Sequence, residues 1–433
     1  MADMLLACRD CGQIHTVDPD LPPHHRLSCV RCGRDMLRIA PGGFERPLAY
    51  ALTAFVLFLL ANTYPIFVVD FEGDQNSDLL ASGPLQLLQY GGALAGLGVL
   101  VAVFSIIVPA LRLTLMLVVL WALHFRPIGP NGPRFVGFGP SRPRLAAAWK
   151  GATTLAPWSM PDVYLLGAFV AYTRLAKIVH TTIGAGGYAL AALVIAHALL
   201  IFSLGRGRVW DALGDPRAYL PRPGEPWVQC PDCELILGGF DTGAGGGTGG
   251  RAIRPGRCPR CGTRLAPRRP GSLAISAALT ATALILYFPA NLLPVMTVFY
   301  LGSQNTNTIL SGVRELATAG LWPLAVLVFF ASILVPVLKL VSISWFLLAI
   351  RRRSARRLRQ RTMLYRLIDF VGRWSNIDVF MISILVALLR FGNLTTVDPG
   401  TGAVSFAAVV VMTMLATRIF DPRLMWDAAK GPA

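Results

Sequence analysis

The sequence predicts an all-α polytopic membrane protein made of two tandem repeats. Each repeat is a small four-Cys zinc ribbon followed by a four-helix transmembrane unit, giving eight spans. Three observations carry this reading: an apolar composition, cysteines confined to Cys-x-x-Cys pairs, and five motifs that recur in one order.

Of the 433 residues, 54% are hydrophobic and 15% charged, with a mean hydropathy of +0.56. Soluble domains carry roughly a quarter charged residues. The run "PLAYALTAFVLFLLANTYPIFVV" (47–69) holds 23 residues without Asp, Glu, Lys or Arg, and about 20 apolar residues cross a bilayer core of about 30 Å. The polar, proline-dotted first 45 residues lack the apolar stretch of a cleavable signal. The net charge of +17 is unevenly spread, with seven arginines in "RRRSARRLRQR" (351–361) and others crowding 126–150, 206–222 and 251–269. The stretches "VDFEGDQNSD" (69–78) and "TTIGAGG" (181–187) carry no Lys or Arg. This is the positive-inside pattern, so the basic segments face the cytoplasm and anionic lipid, and no nucleic acid is expected.

The repeat is read from five pairs: "ANTYPIF" (61–67) with "ANLLPVM" (290–296), "LLASG" (79–83) with "TILSG" (308–312), "VPALRL" (108–113) with "VPVLKL" (335–340), "PWSMPDVY" (157–164) with "RWSNIDVF" (373–380), and "VWDAL" (209–213) with "MWDAA" (425–429). Their offsets drift only from 229 to 216 residues, as an internal duplication requires. In order along the chain, 1–44 is the first ribbon and 45–210 the first transmembrane unit, with spans near 47–69, 95–124, 158–180 and 187–205. Residues 211–270 form the second ribbon, and 271–433 form the second unit plus a C-terminal tail, with spans near 272–296, 320–350, 375–396 and 403–420. The segment 85–125 is too long for one span, yet a second crossing would put the basic loop 126–150 outside. It is therefore read as a short interfacial helix, "GPLQLLQYGG", leading into one long helix bent at Pro109. Eight spans place both ribbons and both termini in the cytoplasm. The short outer loops leave no folded domain on the far side.

All eight cysteines fall in Cys-x-x-Cys pairs: Cys8, Cys11, Cys29 and Cys32 in the first ribbon, Cys230, Cys233, Cys258 and Cys261 in the second. Two pairs separated by 17 or 24 residues match a tetrahedral four-thiolate ribbon. Zinc, one ion per ribbon, is the expected metal, with iron in a rubredoxin-like site the alternative. The Gly-rich "GGFDTGAGGGTGG" (238–250) lacks the Gly-Lys-Ser/Thr ending of a phosphate-binding loop. No ATP engine is recognisable, and no enzyme is expected.

Arg112 lies 14 residues before Arg126 and Lys339 lies 12 before Arg351, which puts both cations about 18–21 Å above the cytoplasmic edge. A charge at the bilayer centre costs about 2.5–3.5 kcal/mol even on the insertion scale. Such groups face the bundle interior and find partners there. The motifs nominate a second-half polar set of Ser332, Lys339, Ser375, Asp378 and Thr413, with first-half counterparts Ser105, Arg112, Ser159, Asp162 and His197. Arg112 keeps its proton, whereas a desolvated Lys339 can lose it, which favours the second half as the working one. Such a set either fixes helix register or acts as a proton- or ion-sensitive switch. Arg174, Lys177 and Arg390 sit near the outer ends of the third spans, placed to snorkel or to contact lipid phosphate or an acidic partner. Asn62, Pro65, Asn291 and Pro294 end the first span of each half, where proline frees backbone carbonyls and kinks a helix.

Two Cys-x-x-Cys/Cys-x-x-Cys heads alternating with four-span units that bear "AN-x-x-P", "VP-x-L-(R/K)-L" and "WS-x-x-DV" resemble the paraquat-inducible protein A family, over essentially the whole chain. That family includes the A component of lipophilic envelope-spanning tunnel systems. The resemblance implies a Gram-negative cell inner membrane protein with zinc in its ribbons. It would hand phospholipids to, or take them from, an MCE-domain tunnel protein crossing the periplasm. The proton gradient is the expected energy source, acting through the second-half polar set. A membrane thiol or metal-redox protein and a scaffold that only anchors the partner are the rival readings.

Overall fold

The computed structural model describes residues 4–17, 26–38, 43–71, 74–125, 141–176, 180–205, 207–214, 227–238, 256–300, 303–388, 390–391 and 395–429. The first ribbon is two antiparallel hairpins, β1 (Met4–Ala7) with β2 (Ile14–Val17) and β3 (Arg26–Ser28) with β4 (Asp35–Arg38). Then come α1 (Glu45–Thr63), β5 (Phe67–Phe71), β6 (Asp74–Asp78), α2 (Ser82–Gln89), α3 (Gly92–Ala102), α4 (Val108–Phe125), α5 (Arg142–Leu155), α6 (Pro161–Leu175), β7 (His180–Ile183), α7 (Ala185–Ser203) and α8 (Arg208–Leu213). The second ribbon follows with β8 (Trp227–Gln229) and β9 (Ile236–Gly238). The order then recurs in α9 (Ser272–Leu292), β10 (Met296–Tyr300), β11 (Ser303–Asn307), α10 (Ile309–Thr318), α11 (Trp322–Phe329), α12 (Val335–Arg351), α13 (Leu358–Val371), α14 (Ile377–Leu388), β12 (Arg390–Phe391), β13 (Thr395–Pro399), α15 (Thr401–Ile419) and α16 (Arg423–Ala428).

Among the described residues, seven helical stretches are long and apolar enough to cross a membrane: Glu45–Thr63, Gly92–Phe125, Ala185–Ser203, Ser272–Leu292, Trp322–Arg351, Leu358–Leu388 and Thr401–Ile419. The third span expected in the first half corresponds to α6, which at 15 residues is shorter than these. Its second-half counterpart α14 is the centre of the bundle, since all twelve of its residues are buried. A helix apolar all round buries in this way, and α6 packs directly on it.

The long helix of each half is interrupted by one π-helical turn, Val103–Ile107 in the first and Phe330–Leu334 in the second. The cause is the Val-Pro dipeptide. Pro109 and Pro336 cannot donate to the carbonyls of Ser105 and Ser332 four residues earlier, and their rings crowd those oxygens. Widening the turn relieves the crowding, so the irregularity lies before the proline rather than as a bend at Pro109. It also turns Ser105 and Ser332 into the interior, 2% and 1% exposed.

Two expectations about the outer end change. The first spans do not run on to 69 and 296. α1 stops at Thr63 and α9 at Leu292, and strands take over. Asn62 caps its own helix through Nδ2 to the Phe58 carbonyl at 2.7 Å, and Asn291 does the same to Tyr287 at 2.9 Å. The Pro65 and Pro294 carbonyls accept from Gly186 and Gly402 at the starts of α7 and α15, at 2.9 and 3.0 Å. Only glycine permits that approach: a Cβ on Gly186 would lie 2.2 Å from the Tyr64 oxygen, and one on Gly402 2.5 Å from the Leu293 oxygen. The motif therefore ends a helix and docks it, without a kink. The outer loops, moreover, are folded. β6–β5–β7 and β11–β10–β13–β12 form antiparallel sheets that cap the bundle opposite the ribbons, because β-branched and aromatic runs such as "FVVDF" and "MTVFY" satisfy their backbone by pairing.

The halves are interlocked. At the outer end α2, expected to lie at the interface, packs its inner face on α14, and Tyr90 Oη donates to Asp398 Oδ1 at 2.8 Å. At the ribbon end the heads cross over. The first ribbon rests on the second half, where Arg366 of α13 pairs with Asp10 at 2.6 Å and donates to the Cys32 carbonyl at 3.1 Å. The second ribbon packs against Leu145 and Trp149 of α5 and Trp210 of α8 in the first half, and Lys150 pairs with Asp232 at 3.2 Å. The repeated Trp-Asp motifs are the docking sites. Arg31, next to the last cysteine of the first ribbon, lies 4.3 Å over Trp426. Arg260 holds the same position in the second ribbon, 5.7 Å over Trp210 and 3.5 Å from Asp211. α8, which straddles the expected boundary at 210, is thus part of the ribbon seat.

Trp426 is 5% exposed, and truncating a buried Trp costs about 3–5 kcal/mol. Trp426→Ala is expected to lower the melting temperature and raise hydrogen exchange in 4–17 and 26–38. Trp210→Ala should instead loosen 227–238. Equal exchange in both ribbons for both variants would contradict the crossed docking.

Candidate functional site

In each ribbon four buried thiols converge. Cys8 and Cys32 Sγ are 3.4 Å apart and Cys11 and Cys29 are 3.5 Å apart. The second ribbon repeats this with Cys230–Cys261 at 3.4 Å and Cys233–Cys258 at 3.5 Å. All four sulfurs of each set lie within 4.8 Å of one another. A disulfide needs about 2.0 Å, whereas a metal with sulfurs at about 2.3 Å separates them by about 3.8 Å. Each set could hold a metal ion, and thiolate donors suit zinc or iron. Gly12, Gly33 and Gly262 follow three of the knuckles with φ of 70°, 71° and 72°. At the fourth knuckle Glu234 takes φ 60°, where it reaches Arg9 of the other ribbon at 3.2 Å.

Inside the bundle, Lys339 is 1% exposed. Its Nζ donates to the Gly372 carbonyl at 2.6 Å and to Thr413 Oγ1 at 3.4 Å. Among the described residues no ion pair joins it to Asp378; the acid whose charge reaches it is Asp369. Gly372 makes the contact possible. It opens the 3₁₀ turn Gly372–Asn376 that separates α13 from α14, and a Cβ there would fall 2.4 Å from Lys339 Cε. Asp378 lies in a different group, beside Ser332 and within electrostatic reach of Arg174 from the first half. Asp378 and Ser332 are buried with no well-formed hydrogen bond beyond their approach to each other, and Ser375 Oγ is buried without a partner. The single cluster expected from sequence is therefore two: Lys339 with Thr413, and Asp378 with Ser332 and Arg174.

The first-half set is wired differently. Arg112 Nη1 meets His197 Nε2 at 2.8 Å, and Ser105 Oγ donates to the Val101 carbonyl at 2.8 Å. Ser159 Oγ is buried without a partner. Asp162 pairs across the halves with Arg373 at 3.5 Å. Arg174 does not snorkel outward. Its guanidinium lies against Gly312 of α10, where a Cβ would be 3.4 Å from Nη2, and its Nε is buried and unpartnered. Lys177 lies outside the described residues, as does the side chain of Arg390.

A cavity of about 1550 Å³ separates the ribbons from the bundle. Arg112, His197 and Lys339 reach its inner end, and Arg9, Arg34, Arg366 and Asp10 line its ribbon side. Sequence reading missed Gly372 and Arg373, which flank "WS-x-x-DV". The glycine beside a repeated motif was the available signal, but only the fold shows the lysine above it.

The family model for paraquat-inducible protein A matches residues 44–214 and 273–430. Intermembrane transport protein PqiA of Escherichia coli (strain K12) is 33% identical, covering 98% of this chain and 95% of that protein. Lipophilic envelope-spanning tunnel protein A of the same organism is 30% identical over 97% and 91%. A probable intermembrane transport protein of Haemophilus influenzae is 24% identical over 98% and 95%. No solved structure matches the chain. Two thiolate ribbons docked on a bundle of apolar helices with buried charges, matched nearly end to end, make this chain a member of the paraquat-inducible protein A family.

Proposed function

We propose that this protein is an eight-span component of a Gram-negative inner membrane, with α6 as the short span and both termini and ribbons cytoplasmic. It loads or extracts phospholipids for an MCE-domain tunnel partner that crosses the periplasm, and it draws on the proton gradient through Lys339. The names of its relatives support intermembrane transport. The observation that carries the coupling is the Lys339 ammonium, buried at mid-bundle against two neutral acceptors. A cation so placed is held weakly enough for its proton to be exchanged, and the cavity at the ribbon end gives a route from the cytoplasm. Arg174, with the Asp378–Ser332 group beside it, supplies a positive anchor for a lipid phosphate where the halves meet. The ribbons hold zinc as structural heads, which favours transport over thiol redox chemistry.

Metal analysis of purified protein should return two zinc ions per chain and no iron absorption. Chelation should lower the melting temperature and raise exchange in the ribbon segments; a red, iron-loaded protein would favour the redox reading. In vesicles carrying a fluorescent phospholipid and a pH gradient, Lys339→Ala should cut transfer to the tunnel partner by about tenfold or more, the factor that 1.4 kcal/mol represents. Gly372→Ala should do the same by displacing the lysine. Full transfer with an unchanged pH response in either variant would defeat the coupling.

A further inference from the structure

At the outer end, β6 and α2 of the first half close against α14 of the second, and this seam holds a carboxylate that transport chemistry has not used. Asp78 ends β6, and its carbonyl accepts from the Ile66 N–H at 2.7 Å. Its side chain is 1% exposed and neither carboxylate oxygen makes a well-formed hydrogen bond, although the Ser82 hydroxyl of α2 stands close enough to act on it as a donor. Gln86 Oε1 of α2 and Ser383 Oγ of α14 are also buried without partners. The seam is tight: a Cβ on Gly83 would fall 2.3 Å from Ser383 Oγ and 2.5 Å from its carbonyl oxygen. The amides of Asn76 and Gln86 are already committed to the Ala387 carbonyl, each at 3.4 Å.

Among the described residues the seam thus offers the carboxylate no cation and, in Ser82, only a neutral hydroxyl donor. An ionised carboxylate stripped of water and left unpaired costs several kcal/mol, whereas the neutral acid removes that charge and adds an O–H donor. Tyr164 of α6 is the titratable group that faces Asp78; Ser82 of α2 is its other polar neighbour. Among the described residues no charged side chain acts on it from β5, α2, α6 or α14, and Arg390, whose side chain is outside them, enters the test. Burial pushes the Asp78 carboxyl well above the usual carboxylate range.

We infer that Asp78 is a proton-binding site that latches the two halves at the outer end. It holds its proton while β6 and α2 are packed on α14 and releases it only when they part. The inference does not depend on what is transported. Its sign follows from linkage: the packed seam binds a proton that the parted seam, an ordinary acid near 4, does not. Packing is therefore fully stabilised below that ordinary value and weakens as pH rises toward the raised one.

Position 78 corresponds to Asn307 in the second half, whose carbonyl likewise accepts from the Val295 N–H at 2.9 Å, so an amide is compatible with this turn. The test is infrared spectroscopy and thermal unfolding of the full chain in nanodiscs, wild type against Asp78→Asn. A protonated-carboxyl band present at neutral pH and missing from the variant is expected, with the variant melting at or above wild type and losing part of the alkaline decline. Superimposable spectra, or an equal loss of stability at every pH, would overturn the inference. So would Asp78→Asn and Arg390→Leu each lowering the melting temperature by a similar amount, because that marks an ionised pair. Wild-type protein alone gives a further reading: hydrogen exchange in 74–89 should rise with pH, and pH-independent exchange there would also overturn it.

Discussion

The account rests on one buried ammonium. Lys339 stands in the middle of an apolar helix and hydrogen-bonds a backbone carbonyl and a hydroxyl rather than a carboxylate, with Asp369 acting on it from farther away. Removing an unpaired charge from water is costly, so each nearby irregularity serves to deliver acceptors or remove obstacles. The π turn before Pro336 sets the inward face of α12. Gly372 leaves room for the lysine stem, and the 3₁₀ turn it opens presents a carbonyl that a continuous helix would have kept for itself. The same constraint in the first half is met by Arg112 and His197, a pairing that leaves the arginine charged. Two halves of similar architecture thus place an arginine paired with a histidine in one bundle and a lysine held by a carbonyl and a hydroxyl in the other.

The halves are not free to act separately. α14 is buried on every side by elements of both, Arg174 reaches from the first half toward Asp378, and each ribbon sits on a transmembrane unit through a Trp-Asp step. A shift of α13, which carries Arg366, moves the first ribbon as well, since Arg366 binds Asp10 and the Cys32 carbonyl together. The first head is therefore linked mechanically to the segment that ends at Gly372.

Much of this was legible in the sequence, because the strongest signals are local. Cysteine spacing, uncharged runs and recurring motifs need no tertiary knowledge, and they pointed to the four-Cys heads, most spans and two polar sets, within which Lys339 meets Thr413 and Arg112 meets His197. What was not legible depends on long-range packing. The split of Asp378 from Lys339 goes with the 3₁₀ turn that separates α13 from α14 and gives Lys339 the Gly372 carbonyl, which helical spacing alone does not reveal. The inward course of Arg174 depends on the opposite half. The outer sheets were hidden because "FVVDF" reads equally well as the end of a span or as a strand, and only its partners decide. The Val-Pro step, by contrast, could have announced its π turn: a serine four residues before a proline loses the donor to its carbonyl.

The central claim is that Lys339 exchanges its proton in place. The chain has only four lysines, at 150, 177, 339 and 430, so nitrogen-15 magnetic resonance of lysine Nζ in the nanodisc-embedded protein can assign Lys339 against Lys339→Arg. The account predicts that this signal moves between the ammonium and amine positions across the pH range in which transport varies. A Lys339 signal that remains ammonium throughout would contradict it.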